Sequence, residues 1–195
     1  ANQLVDGDYF KQQNDQFYQD YQNGCLDMYA YAAFALEPLS RYSKEELNKL
    51  HYRFMHEHII PMVLPKGQEL LQQHREAGDT IIIITATHDF ITYPIAKYMG
   101  VDILISTTAE QINDQYTGNI IGTPCIQEGK ISKLKDWLDT TDLSLTGARF
   151  YSDSFNDIPL LQEVDEPVAV DPDDKLRAHA QACGWPIISL RWLVN

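Results

Sequence analysis

Apolar positions follow two regimes along the chain, and the change comes near Pro61–Pro65. From about Asp8 to Val63, residues such as Tyr18, Tyr21, Met28, Tyr31, Phe34 and Leu36 recur near helical spacing among glutamines and acids. That spacing predicts helices. In "SRYSKEEL", Ser43 followed three residues later by Glu46 has the pattern of a capping box, so a helix is predicted to start there and to run toward Ile60, ending before Pro61.

Beyond Pro65 the period changes. "KGQELLQQHREAGDT" reads as a helix closing at Gly78, "IIIIT" as a buried strand, "FITYPIAKYMG" as a helix and "VDILIST" as a second strand. The alternating stretch from Thr108 to Gln127, around Gly118 and Gly122, predicts a small hairpin. "ISKLKDWL", "DIPLLQEV" and "DDKLRAHAQACG" read as helices, and "ARFYS", "EPVAVD" and "PIISL" as strands. This alternation is that of a parallel α/β sheet.

Composition narrows the picture. The chain has 195 residues, enough for one large domain or a core with an appendage, and 44% of them are hydrophobic. No apolar run approaches the ~20 residues of a bilayer-spanning helix, so no membrane partner is expected. A formal net charge of −13 opposes binding to a phosphate backbone, and nucleic acid is excluded as an expected partner. Cys25, Cys125 and Cys183 are widely spaced and lack a C-x-x-C pair, which suits a reducing compartment better than a disulfide scaffold or a zinc ribbon. The first ten residues show no basic segment followed by an apolar one, and a cytoplasmic location is expected.

Three places could carry chemistry. In "FYSDSFNDIPLL", Asp153 stands at the carboxyl end of a predicted strand, where open α/β sheets place ligands, with Asp157 four residues on. Capping of the next helix by Asp153 or Ser154 accounts for part of this pattern, with Asp157 at the helix's positive end. Two carboxylates at a strand end also suit magnesium, which takes one or two protein carboxylates and completes its shell with water and phosphate. A calcium loop is excluded, because Phe155 and Ile158 stand where an oxygen ligand and a glycine are needed. In "IIIITATHDF", Thr85 and Thr87 end a strand before a helix whose free N–H groups could hold an anion; capping by Thr87 is the competing reading. Lys130 opens a helix, a poor place for a cation unless an anion faces it, although solvated surface lysines are common. "HEHII" has Ile60 where a zinc-binding histidine would be required, and His51, His56 and His58 do not share one helix face. No nucleophile elbow, Walker A sequence or dinucleotide-binding glycine pattern is present.

The order Thr85, then Lys130, then Asp153 and Asp157, together with "PVAVDPD" and "GWPII", resembles the haloacid dehalogenase superfamily of phosphatases, in its phosphoserine-phosphatase-like subgroup. The resemblance implies a Rossmann-like parallel α/β sheet core over residues 64–195 and an α-helical cap over residues 1–63. Carried over residue by residue, Thr85 and the backbone N–H of Ala86 would bind a phosphoryl group, and Lys130 would neutralise charge. Asp153 and Asp157 would hold Mg2+, and Asn156 would order the site. The implied reaction is Mg2+-dependent hydrolysis of a small phosphorylated, amino-acid-like metabolite, L-histidinol phosphate or phosphoserine, through an aspartyl-phosphate. By their charge, Asp15, Asp20 and Asp27 could favour an amine-bearing substrate, and a solvated acidic face explains them equally well. The family's nucleophilic D-x-D element on a first central strand has no counterpart; Asp6 and Asp8 in "VDGDYF" follow no apolar strand. The expectation is therefore a core strand encoded upstream, with a non-catalytic phosphometabolite-binding module as the alternative. Replacing Lys130 or Asp153 is expected to abolish turnover with folding nearly intact.

Overall fold

The computed structural model describes residues 7–191. Asp6 lies outside the described residues, and Asp8 falls in the first turn of a helix. The first part of the chain is helical: α1 (Gly7–Asn23), α2 (Met28–Leu36), a 3-10 turn (Glu37–Arg41) and α3 (Lys44–Phe54). Asp27 caps α2 by accepting from the N–H groups of Tyr29 and Ala30, both at 3.0 Å. The capping box of α3 forms in both halves: Ser43 Oγ accepts from Glu46 N, and the Glu46 carboxylate accepts from Ser43 N at 2.9 Å. The helical path does not end before Pro61. It widens into a π turn (Met55–Ile59) and then tightens into a 3-10 turn (Ile60–Met62), where Pro61 sits at an N-terminal position that needs no N–H donor. Helix α4 (Pro65–Ala77) follows and closes at Gly78.

The α/β part contains two three-stranded sheets. In the first, β1 (Ile82–His88) pairs in parallel with β2 (Ile103–Ile112), which pairs antiparallel with β3 (Gln115–Ile121). In the second, β4 (Arg149–Ser152), β5 (Glu166–Val170) and the short β6 (Ile187–Ile188) are all parallel. Helices α5 (Asp89–Tyr98), α6 (Glu128–Leu138), α7 (Ile158–Leu161) and α8 (Asp174–Cys183) make the connections. No helix among the described residues is long and apolar enough to cross a membrane.

Three boundaries differ from the sequence reading. Strand β1 runs past Thr85 to His88, with a register break between Ile84 and His88, so Thr87 does not cap a helix. The hairpin turn lies at Asn113–Asp114, where both residues have positive φ, and its first strand is the continuation of "VDILIST". Gly118 serves close packing: a Cβ there would lie 3.4 Å from Glu37 Cα, where the cap crosses β3. The helix expected at "DIPLLQEV" is a 3-10 turn (Phe155–Asp157) followed by the single turn of α7.

Burial explains how the parts hold together. Ala32 and Leu36 of the cap pack on Ala109 of β2, with Tyr116 and Ile120 of β3 beside them. Ile105, Cys125, Ile131, Leu134 and Leu160 form a core around α6, and Leu161, Ala169, Leu176 and Ala180 form another around β5 and α8. At the start of α6, Gly129 is pressed against the preceding loop, and a Cβ there would fall 2.1 Å from Pro124 O. That contact is with backbone and cannot swing away.

A second consequence of burial lies at the junction of α3 and α5. The His51 ring stacks on Phe90 at 3.9 Å, with His88 also near Phe90. His51 Nε2 and His88 Nδ1 are buried without a hydrogen-bond partner among the described residues. Burial, reinforced by the His51 charge, lowers the His88 pKa to about 4; burial also lowers that of His51. Asp89, on the same corner, is shifted upward by burial.

Two outcomes follow. Between pH 6.5 and about 4 the unfolded chain binds a proton at His88 that the native state refuses, so stability is full above pH 6.5 and falls as pH drops through that window. The loss is on the order of 2–3 kcal/mol, opposed at the acid end by Asp89, whose raised pKa favours the native state once protonated. Urea midpoints at pH 7 and pH 4.5 measure it, and His88→Leu should flatten the slope. Gly129→Ala should cost about 1–3 kcal/mol by overpacking, read as a lower urea midpoint at unchanged slope.

Candidate active site

Strands β1 and β4 each pair on one side only among the described residues. A cavity of about 480 Å³ is lined by Ile84–Thr87 of β1, by Phe150–Ser154 at β4, by Lys130 and Asp157, and by residues of the cap. The structure therefore brings Thr85, Ala86, Lys130, Asp153 and Asp157 to one place, across gaps of up to 72 residues in sequence.

Each wall is held by local chemistry. At the break in β1, Thr87 N donates to Thr85 Oγ1 at 3.2 Å, which leaves the Thr85 hydroxyl proton free to donate elsewhere. Thr107, 1% exposed, donates to Ala86 O at 2.8 Å and accepts from Cys125 N at 3.0 Å. One buried hydroxyl thus ties the Thr85–Thr87 segment to the loop that leads into α6. Burial pushes the Cys125 thiol pKa upward, so it stays a neutral core group. Helix α5 starts at Asp89, within a residue of the start read from "FITYPIAKYMG".

Lys130 is 6% exposed, in the first turn of α6, and donates to Asp157 Oδ1 at 2.6 Å. This answers why a cation stands at a helix start. The other oxygen of Asp157 accepts from Ser152 Oγ at 2.7 Å, so this acid is committed on both sides rather than capping α7. Ser154 is the local cap, accepting from Asn156 N. Asp153 differs: it is exposed to the cavity, and its carboxylate has no partner among the described residues. The expectation that Lys130 could be removed with folding nearly intact is therefore corrected. Its loss would strand a buried carboxylate, whereas Asp153 can be changed cleanly.

Asn156 is placed differently from the other candidates. Its amide donates to Tyr21 O at 3.3 Å and its oxygen accepts from Gln127 Nε2 at 3.1 Å, so it links cap, acidic turn and α6 loop behind the cavity wall. Asp15, Asp20 and Asp27 do not line the cavity. Asp27 caps α2, and Asp20 accepts from Gln16 Nε2, local roles that accord with a solvated acidic face.

Sequence reasoning missed two positioning residues. Asp173 accepts from Phe155 N and Leu176 N, both at 2.8 Å, and its own N–H donates to Asp153 O at 2.9 Å. Its only sequence signal was an acid before a helix. Tyr21 bonds Ser154 Oγ at 2.7 Å through its hydroxyl and closes the cap onto the acidic turn; nothing in its spacing marked that contact.

The carboxylates and hydroxyls of the cavity are hard oxygen donors, and among the described residues no imidazole or thiolate lines it. Among the described residues, no three His, Cys, Asp or Glu side chains converge on one point. This set fits a hard cation that takes one or two protein carboxylates, with Asp153 the open ligand.

The haloacid dehalogenase-like hydrolase family model matches residues 10–162. A histidinol-phosphatase of Neisseria meningitidis serogroup C (strain 8013) is 47% identical over 192 residues, covering 96% of this chain and 86% of that protein. Phosphoserine phosphatase SerB1 of Mycobacterium tuberculosis (strain ATCC 25618 / H37Rv) is 33% identical over 149 residues, and the match spans 76% of this chain but about half, 48%, of that longer protein. The crystal structure of a protein of unknown function from Bordetella pertussis Tohama I superposes with a TM-score of 0.89 at 38% identity, over 97% of this chain and 86% of that one. A family match that takes in most of the chain, with a relative that aligns along nearly all of it, establishes that the chain belongs to the haloacid dehalogenase-like hydrolases.

Proposed function

We propose that the protein is a phosphatase that hydrolyses a small phosphomonoester, with L-histidinol phosphate and phosphoserine as the leading substrates and Mg2+ as its cofactor. The observation that carries this reading is the single cavity in which a threonine hydroxyl, a buried lysine and two carboxylates meet. The 47% identical histidinol-phosphatase supports it.

In this reading Thr85 donates its hydroxyl proton to a phosphoryl oxygen, and the N–H of Ala86 binds the same group. Lys130 uses one proton on Asp157 and keeps two to offset charge on the transferring phosphoryl group. Asp153 and Asp157 would hold Mg2+, which when bound neutralises phosphoryl charge. Asn156, Tyr21 and Asp173 keep the acidic turn in place. The edges of β1 and β4, unpaired among the described residues, and the cavity beside them favour an aspartate there as nucleophile; its attack on phosphorus would form an aspartyl-phosphate and release the alcohol, and water would then hydrolyse that intermediate.

The tests use the protein expressed from its complete open reading frame. Asp153→Asn should lower phosphate release by at least about a hundredfold with an unchanged urea midpoint. Lys130→Met should lower release comparably and also cost about 3–5 kcal/mol of stability, because Asp157 is left buried and unpaired. Wild-type turnover in Lys130→Met would refute its role. Separately, Mg2+ should raise the thermal midpoint of the wild type in a concentration-dependent way and leave that of Asp153→Asn in place; equal shifts in both proteins would remove Asp153 from the metal site.

A further inference from the structure

The organic half of the substrate must sit against the cap, and the cap's contribution to the cavity has a particular chemistry. Phe17, Tyr18, Tyr21 and Tyr31 face it with Asn14, Leu26 and Met28, and among the described residues no charged side chain comes from the cap. All three charged groups in the lining, Lys130, Asp153 and Asp157, lie on the opposite, core side. Lys130, the single cation among them, is already bonded to Asp157.

The aromatic rings are held in place. Phe17 stands edge-on to Tyr31, with centroids 5.5 Å apart at 70°, and packs against Phe34 at 5.3 Å. Tyr21 is anchored by its hydroxyl on Ser154. Burial raises the Tyr31 pKa, so it presents a neutral phenol. Tyr18 is 58% exposed and forms the rim.

We infer that Phe17 and Tyr31, with Tyr18 at the mouth, select a phosphate ester whose alcohol carries a flat nitrogen heterocycle such as an imidazole, and reject one whose alcohol carries a carboxylate, even beside an ammonium as in O-phosphoserine. Ring faces attract cations and stack on planar heterocycles. A carboxylate placed against the same rings would lose its water and find no cation. The inference rests on the phosphatase reading and assigns its specificity to named cap residues.

The test measures kcat/KM of the protein from its complete open reading frame on L-histidinol phosphate, O-phosphoserine and glycerol 2-phosphate. The wild type should prefer L-histidinol phosphate to O-phosphoserine by about a hundredfold. Phe17→Leu and Tyr31→Leu should each lose about tenfold on L-histidinol phosphate, mainly in KM, and lose less on glycerol 2-phosphate, whose alcohol carries no charge. The wild-type preference decides the matter even if a variant fails to fold. Equal turnover of O-phosphoserine and L-histidinol phosphate by the wild type overturns the inference and leaves the phosphatase reading standing, as does an equal loss on all three esters in the folded variants. Hydrolysis of none of them overturns both.

Discussion

The ion pair between Lys130 and Asp157 is the contact on which the site's geometry depends. Its atoms are 2.6 Å apart and its side chains are 8% and 10% exposed. Burying two charges costs several kcal/mol per ion, and their attraction repays this only when the remaining lone pairs are satisfied. Here Ser152 Oγ satisfies the second carboxylate oxygen. The pair joins α6 to the acidic turn after β4, so it fixes one side of the cavity against the other. A hydrophobic replacement of the whole pair could hold those elements as well. What it could not supply is a cation with two unused protons facing an open carboxylate.

The supports of that pair explain several otherwise unrelated residues. Gly129 lets the chain press against Pro124 O immediately before Lys130. Thr107 binds both the Thr85–Thr87 segment and the loop leading into α6 through one hydroxyl. On the other side Asp173 caps α8 with one oxygen and holds Phe155 N with the other. The cap joins the same frame: Tyr21 reaches Ser154, Asn156 reaches Tyr21 O, and Lys175 donates to Gln22 O at 2.6 Å while lying over the Phe155 ring. The end of α1 is thus bound to the acidic turn by several polar contacts, so movement of the cap and order in that turn are physically linked.

Much of this was legible in the sequence, for identifiable reasons. The helix starts at Ser43 and the stops at Gly78 and Gly184 were readable because capping is local chemistry. Strands β1 and β2 showed through the apolar runs in "IIIIT" and "VDILIST". The extension of β1 to His88 was not legible, because "TATH" carries little apolar signal and is held by Thr107, which bonds Ala86 O from 21 residues away. The turn at Asn113–Asp114 was obscured by glycines that serve other purposes, Gly118 being there for the backbone of Glu37. In the site, Asp153 and Asp157 look alike as letters. They separate only in three dimensions, where one is locked by Lys130 and Ser152 and the other is open. The roles of Tyr21 and Asp173 arise from contacts across 133 and 18 residues, which no short-range pattern encodes.

Charge is the remaining constraint. Lys130, Asp153 and Asp157 sum to −1 in the cavity lining, in a chain whose net charge is −13. A phosphate monoester near neutral pH brings close to two more negative charges, and any further carboxylate that attacks it adds another. In the proposed reading, hydrogen bonds from Thr85 and the Ala86 N–H would make the local potential less negative but add no net charge. At the short separations inside a partly dry cavity, such repulsion is not screened away. A divalent cation on Asp153 brings the lining to +1 and turns repulsion into attraction. The open carboxylate is therefore intelligible as the place where positive charge enters with the substrate. In the proposed reading the uncharged aromatic wall would face the other end of the ester, where a second anionic group would meet no cation among the described residues.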